Sequence, residues 1–332
     1  MSKSKRARAK HDRIDEPARR EEKKSTRARM RLSARTGWRL LLVAGIYLGG
    51  FVILSMLVRG TPGGAGSLGE ALIPTVILVA FVFETFDSAG GMGFGTALAP
   101  LLFVFGYAPL QVVPALMAAE AVTGLLAGML HHEFRNIELA WHPPNEATRS
   151  LLLIGGLGAL GAVASAAFAY FLVPLPETLI KTYVAVLVLV MGGLMLVHHW
   201  VKPHKTYRPR RLVLFAALAG VNKGLGGGGY GPVITLGAVF AGIIEKSATA
   251  IAALAEGVVS TFGILAFLAI GAAGVKVDLT LLPSLWAGAF PAAVIAPYAV
   301  RVVPNRIWRY LIPVYALGIA AVSLFRLYVG DS

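Results

Sequence analysis

The chain has no cysteine and little charge: Asp, Glu, Lys and Arg together make up 14% of its 332 residues. Without cysteine there is no disulfide framework and no thiolate metal site, and the redox compartment cannot be read. The low charge, beside 56% hydrophobic residues and a mean hydropathy of +0.70, excludes an ordinary soluble globular domain. Catalytic and metal-binding patterns are missing too: there is no P-loop, no G-x-S-x-G and no H-E-x-x-H. Neither an enzyme, a cofactor nor a metal is therefore expected. No small-residue cleavage site closely follows the first apolar run, so no signal peptide is expected. What is present, a series of long apolar runs, predicts an all-α polytopic protein of the inner or plasma membrane with the lipid bilayer as its surroundings.

The net charge of +14 suggests nucleic acid until it is located. Residues 1 to 36 hold 14 of the 31 lysines and arginines, against 5 of the 17 acids. This basic arm reads as cytoplasmic, either disordered or a fraying helix resting on anionic headgroups, with no nucleic-acid partner expected. Trp38 to Val58, within a region taken as 37–58, is an extra N-terminal span whose start the arm holds in the cytoplasm.

Two glycine stretches organise the remainder. Asn222-Lys-Gly-Leu-Gly-Gly-Gly-Gly-Tyr-Gly-Pro232 has glycine at six of eleven positions, too many for an unbroken helix. Asp87-Ser-Ala-Gly-Gly-Met-Gly-Phe-Gly95 echoes it. A shift of 136 residues superposes Gly90, Gly91, Gly93 and Gly95 on Gly226, Gly227, Gly229 and Gly231, and Glu120 on Glu256. Around each stretch the apolar pattern is the same: a broken element (Ala71 to Phe105; Leu212 to Gly242) followed by three continuous spans. These are Leu110 to Leu130, Leu151 to Val173 and Leu179 to His199 in the first copy, then Ser247 to Ile270, Leu279 to Val300 and Ile307 to Tyr328. The core thus reads as a duplication, repeat 1 over 71–200 and repeat 2 over 212–329, joined by the basic loop 201–211.

Charge sets the expected topology. VKPHKTYRPRR, with five Lys or Arg in eleven, belongs in the cytoplasm. It arrives there only if each broken element enters and leaves by the same face, which leaves three crossings per repeat. The expectation is an inverted repeat of two broken re-entrant helices, each followed by three transmembrane helices: seven spans in all, with the N-terminus cytoplasmic.

Irregular backbone at membrane depth must be buried in protein or line a polar cavity, so paired breaks predict a shared central cavity. The half-helices restarting near Gly95-Thr96 and Gly231-Pro232 would present unpaired N–H groups to an anion. The expected substrate-binding set is Gly90, Gly91, Gly93, Gly95, Thr96, Asn222, Lys223, Gly226, Gly227, Gly228, Gly229 and Gly231. Close helix packing is the structural alternative for these glycines. Asp87, Glu120 and Glu256 are the expected proton-coupling residues, since acids in apolar spans are functional candidates. Thr123 and Ser260 share the helix faces of Glu120 and Glu256. Structural acids bonded to the N–H groups of the breaks are the alternative here, and Glu84 is a candidate partner for Lys223. The histidine pairs, His131 with His132 and His198 with His199, read as interfacial.

SAGGMGFGTALAPLL with GYAPLQVVPALMAAE, and NKGLGGGGYGPVITLG with EKSATAIAALAEG, resemble the TauE/SafE family of sulfite exporters and organosulfonate permeases. HHEFRNIEL and GVKVDLTLL resemble its loops. The resemblance covers about residues 71 to 329. It implies a secondary transporter of a small anion such as sulfite, a sulfonate or sulfoacetate, without a soluble partner. The arm and first span lie outside it, and Asp87 and Lys223 stand where plainer residues are expected. The function expected is therefore proton-coupled anion transport. A passive anion channel, or a membrane-embedded sensor or enzyme using the arm, are the alternatives, and homo-oligomerisation is left open.

Overall fold

Helices are the regular elements of this protein, and no strand forms among the described residues. The computed structural model describes residues 14–21, 23–25, 29–30, 32–59, 72–91, 94–198, 207–302 and 305–329. Among the described residues, six helical segments are long and apolar enough to cross a membrane.

The first is α1 (Ala34–Arg59), whose apolar stretch is only 6% buried. It touches the remainder mainly through Tyr47, whose ring lies 5.2 Å from that of Phe290, and through Trp286 against Gly50. Ahead of it, residues 14–21 are helical and dock on the bundle. Ile14 and Ala18 are buried there, and the Asp15 carboxylate accepts the Ile244 N–H at 3.2 Å.

Each glycine stretch interrupts a helix. α2 (Pro74–Gly90) opens on a proline, whose missing N–H is harmless in a first turn. It stops where Gly91 turns left-handed at φ 71°, its N–H bonded to the Asp87 carbonyl. A π-helical turn, Phe94–Leu98, restarts the chain into α3 (Ala99–Val104). After α4 (Pro109–Glu133), α5 (Glu146–Ala167) and α6 (Glu177–His198), the same device returns. α7 (Arg210–Gly226) ends at Gly227, φ 73°, whose N–H bonds to the Lys223 carbonyl at 2.8 Å, and α8 (Tyr230–Phe240) restarts after Gly229. Phe94–Val104 and Tyr230–Phe240 are each too short to cross, since 11 residues rise about 16 Å against a core of about 30 Å.

The chain closes with α9 (Glu245–Ala272), α10 (Leu282–Val302) and α11 (Asn305–Tyr328). α11 occupies the place of the expected span from 307, and its part Leu317–Tyr328 is apolar.

Small residues set which helices meet. Gly124 and Gly128 of α4 face Gly257 and Leu254 of α9, so the two backbones approach closely along the centre of the bundle. Gly220 and Gly224 of α7 lie against Gly158 and Ala162 of α5, while Gly288 of α10 sits on the Ile77 carbonyl of α2. Gly192 of α6 meets Leu317 of α11. Each broken element therefore leans on a continuous helix of the other copy, α2 on α10 and α7 on α5.

Candidate functional site

The two interruptions cross. A side chain at Gly95 would collide with the Gly227 carbonyl, and would come within 2.7 Å of Glu120 Oε1 and 3.0 Å of Lys223 Nζ. At the matching position of the other copy, a side chain at Gly231 would collide with the Gly91 carbonyl and reach within 3.3 Å of Glu256 Oε2. Hence glycine is required at both positions by contact between backbones, since neither has a positive φ. The expected shared cavity is occupied by this contact and by charged side chains.

Lys223, fully buried near the end of α7, donates to both expected acids. Its ammonium bonds Glu120 Oε2 and lies 2.7 Å from Glu256 Oε1. Glu120 projects from α4 and Glu256 from α9, the helices joined by the Gly124–Gly257 crossing. One lysine from a broken element thus ties together equivalent acids of the two copies. Carboxylate oxygens of Asp87, Glu120 and Glu256 all lie within 4.8 Å of one another. That grouping resembles a metal-ligand set, but the Lys223 ammonium already supplies the positive charge between Glu120 and Glu256.

Hydroxyls finish the network. Ser260 donates to Glu120 Oε2 at 3.3 Å, so it serves the acid of the opposite copy instead of Glu256. Thr123 donates to Glu84 Oε2 at 3.4 Å and Ser88 to Glu84 Oε1 at 2.6 Å. Glu84 is therefore held by hydroxyls, and Lys223 pairs with Glu120 and Glu256 in its place. Thr96 accepts the Gly229 N–H at 3.0 Å, stitching the first restart to the second break. Asn222 takes the Tyr183 hydroxyl on its Oδ1, while its Nδ2, buried, has no partner. Glu120 Oε1 is likewise buried and unpartnered.

Other expected site residues are less central. Gly228 is packed against Gly95 and Thr96. Gly226 faces Val184 of α6, away from the acids, and Gly90 closes the last turn of α2. Gly93 lies outside the described residues.

His131 was legible only as an interfacial histidine, yet it is fully buried. Its Nε2 donates to the Ser88 carbonyl at 2.8 Å, and its Nδ1 accepts from Asn136 at 2.9 Å. Asn136 also bonds the Pro297 carbonyl, so this trio ties the end of α2 to α4 and α10. No spacing signals such a role, because Asn136 lies in the loop beyond α4 and the acceptor is backbone. Tyr230 was assigned no role from the sequence; its hydroxyl donates to the Ile154 carbonyl of α5 and anchors the start of α8.

Comparison with known proteins identifies the family. The probable membrane transporter protein YtnM of Bacillus subtilis (strain 168) is 29% identical over 171 residues, 48% of this chain and 53% of that protein. The chain thus spans about half the length of the curated relative it matches. No solved structure matches. The pattern describing the sulfite exporter TauE/SafE family matches residues 76–324, from α2 well into α11 and through both glycine breaks. The chain belongs to the TauE/SafE sulfite exporter family.

Proposed function

We propose that this protein is a secondary active transporter that moves a small oxyanion, such as sulfite or an organosulfonate, together with protons. The observation that carries the reading is Lys223, buried at the crossing of two broken helices and shared between Glu120 and Glu256. An anion entering here must compete with carboxylates for that ammonium. Asp87, Glu120 and Glu256 gather at one lysine, and Glu84 is buried on Thr123 and Ser88, so an added negative charge is tolerated only if protons come with it. A proton placed on Glu120 or Glu256 removes one of the two claims on Lys223 and frees it for the anion. Asn222, one residue earlier in α7 and turned toward Tyr183, keeps a further unpartnered donor in its Nδ2. The glycines of the second break allow the substrate to reach the backbone.

The architecture we propose is an inverted repeat of two re-entrant broken helices with three spans each, plus α1. The reciprocal leaning of α2 on α10 and α7 on α5, with α4 against α9 and α6 against α11, supports it: equivalent helices pair equivalently. The arm and the loop 201–211 then share the cytoplasmic face with Glu133, which pairs with Arg39.

Uptake of labelled sulfite or sulfonate into proteoliposomes tests the coupling. A proton gradient should drive accumulation, and Glu120→Gln or Glu256→Gln should abolish the drive. PH-driven flux unchanged in both variants would overturn it, and flux that neither saturates nor responds to the gradient identifies a channel.

A further inference from the structure

Away from the charged centre, a cavity of about 840 Å³ opens between α3, the first turns of α6 and the end of α11. None of its lining residues belongs to the Lys223 network. Phe103, Val322 and Phe325 form apolar walls, and Val322 and Phe325 are more than half exposed, as side chains facing acyl chains are. Two cations, Lys181 and Arg326, line the same space.

Their charges are poorly matched by the protein. Lys181 lies 3.4 Å from Glu177, but that acid is 61% exposed and such pairs are weak. Arg326 donates Nη1 to the Val104 carbonyl at 3.2 Å, which holds its guanidinium at the end of α3. Ser323, also in the lining, keeps a hydroxyl that is buried and unpartnered.

We propose that this cavity binds an anionic phospholipid. Its phosphate sits between Lys181 and Arg326, accepting from both, and an acyl chain runs along Phe103, Val322 and Phe325. Arginine and lysine are the side chains that best match phosphate, and basic pockets between transmembrane helices hold lipid headgroups. The size fits a ligand of drug-like bulk or larger, well beyond a four-oxygen ion. Because α3 is the second half of the first broken helix, an occupant here braces that half-helix from the side opposite its break. The inference is independent of what the protein transports.

Native mass spectrometry of the full-length protein, taken from mixed vesicles of phosphatidylglycerol and phosphatidylcholine, tests it. Retained phosphatidylglycerol should exceed phosphatidylcholine, and the Lys181→Gln/Arg326→Gln double variant should lower that preference about tenfold or more. Val322→Trp, which keeps both cations but fills the groove, should also lower it. Thermal unfolding in detergent provides a separate arm: added phosphatidylglycerol should raise the Tm of the parent protein, and inorganic phosphate should not. Equal retention of the two lipids, or a preference unchanged in both variants, overturns the proposal. Protection by inorganic phosphate equal to that by lipid overturns it too, since the occupant would then be a free ion.

Discussion

Asp87 and Lys223 occupy equivalent places, each four residues before a left-handed glycine that caps its helix, yet they carry opposite charge. Lys223 pairs with the two acids of the crossing, and Asp87 stands within 4.8 Å of the same acids as a third carboxyl. The two breaks are thus capped alike but differ in the charge of the residue before them, and under the proposed function the second break is the one that grips the anion.

That asymmetry predicts distinct outcomes for charge removal. Lys223→Met leaves Glu120 and Glu256 without their cation, and loss of one partner of a buried ion pair costs about 3–5 kcal/mol. A clear drop in Tm is expected in detergent. Adding Glu120→Gln and Glu256→Gln should restore much of the Tm without restoring anion flux. Stability and transport recovering together would contradict the assigned role of Lys223.

Gly95 and Gly231 should be intolerant of alanine. Each new methyl group meets a carbonyl of the opposite break, and overpacking costs about 1–3 kcal/mol. Gly156 and Gly193, with open space beside them, are the controls whose alanine variants should keep both Tm and flux.

His131→Ala should loosen the end of α2. It strands the buried Ser88 carbonyl and Asn136, a loss of about 1–3 kcal/mol. Faster hydrogen exchange over Thr85 to Gly91, relative to the parent protein, is the expected signature; exchange confined to the neighbourhood of Asn136 would show that α2 does not depend on the clamp.

The absence of native cysteine makes topology directly measurable. Single cysteines placed at Ala65 and at Thr206 should react with impermeant reagents from opposite faces of sealed vesicles. Labelling from one face would eliminate three crossings per repeat.

Several features were legible because they are local or periodic. The interruptions at Gly91 and Gly227 follow from glycine density, and the spans follow from apolar length. The 136-residue shift, which pairs Glu120 with Glu256 as well as the glycines, is likewise a property of the sequence alone. Partner choice was not. Ser260 shares a face with Glu256 but bonds Glu120, and Thr123 shares one with Glu120 but bonds Glu84. Helix spacing reports which residues share a face, whereas the crossing of α4 and α9 decides what that face meets.

By itself, the amino-acid sequence determined that this chain lies in a membrane, that two helices must break, and that acids and one lysine lie near the breaks. Hydropathy, helix propensity and the cost of intramembrane charge are properties of a segment. Only the tertiary structure decided that the breaks touch and that Lys223 bridges Glu120 and Glu256. It also decided that His131 clamps a carbonyl of α2. Those relations join residues as far apart in the chain as Gly91 and Gly231, and they exist only once close glycine contacts have fixed how the helices cross.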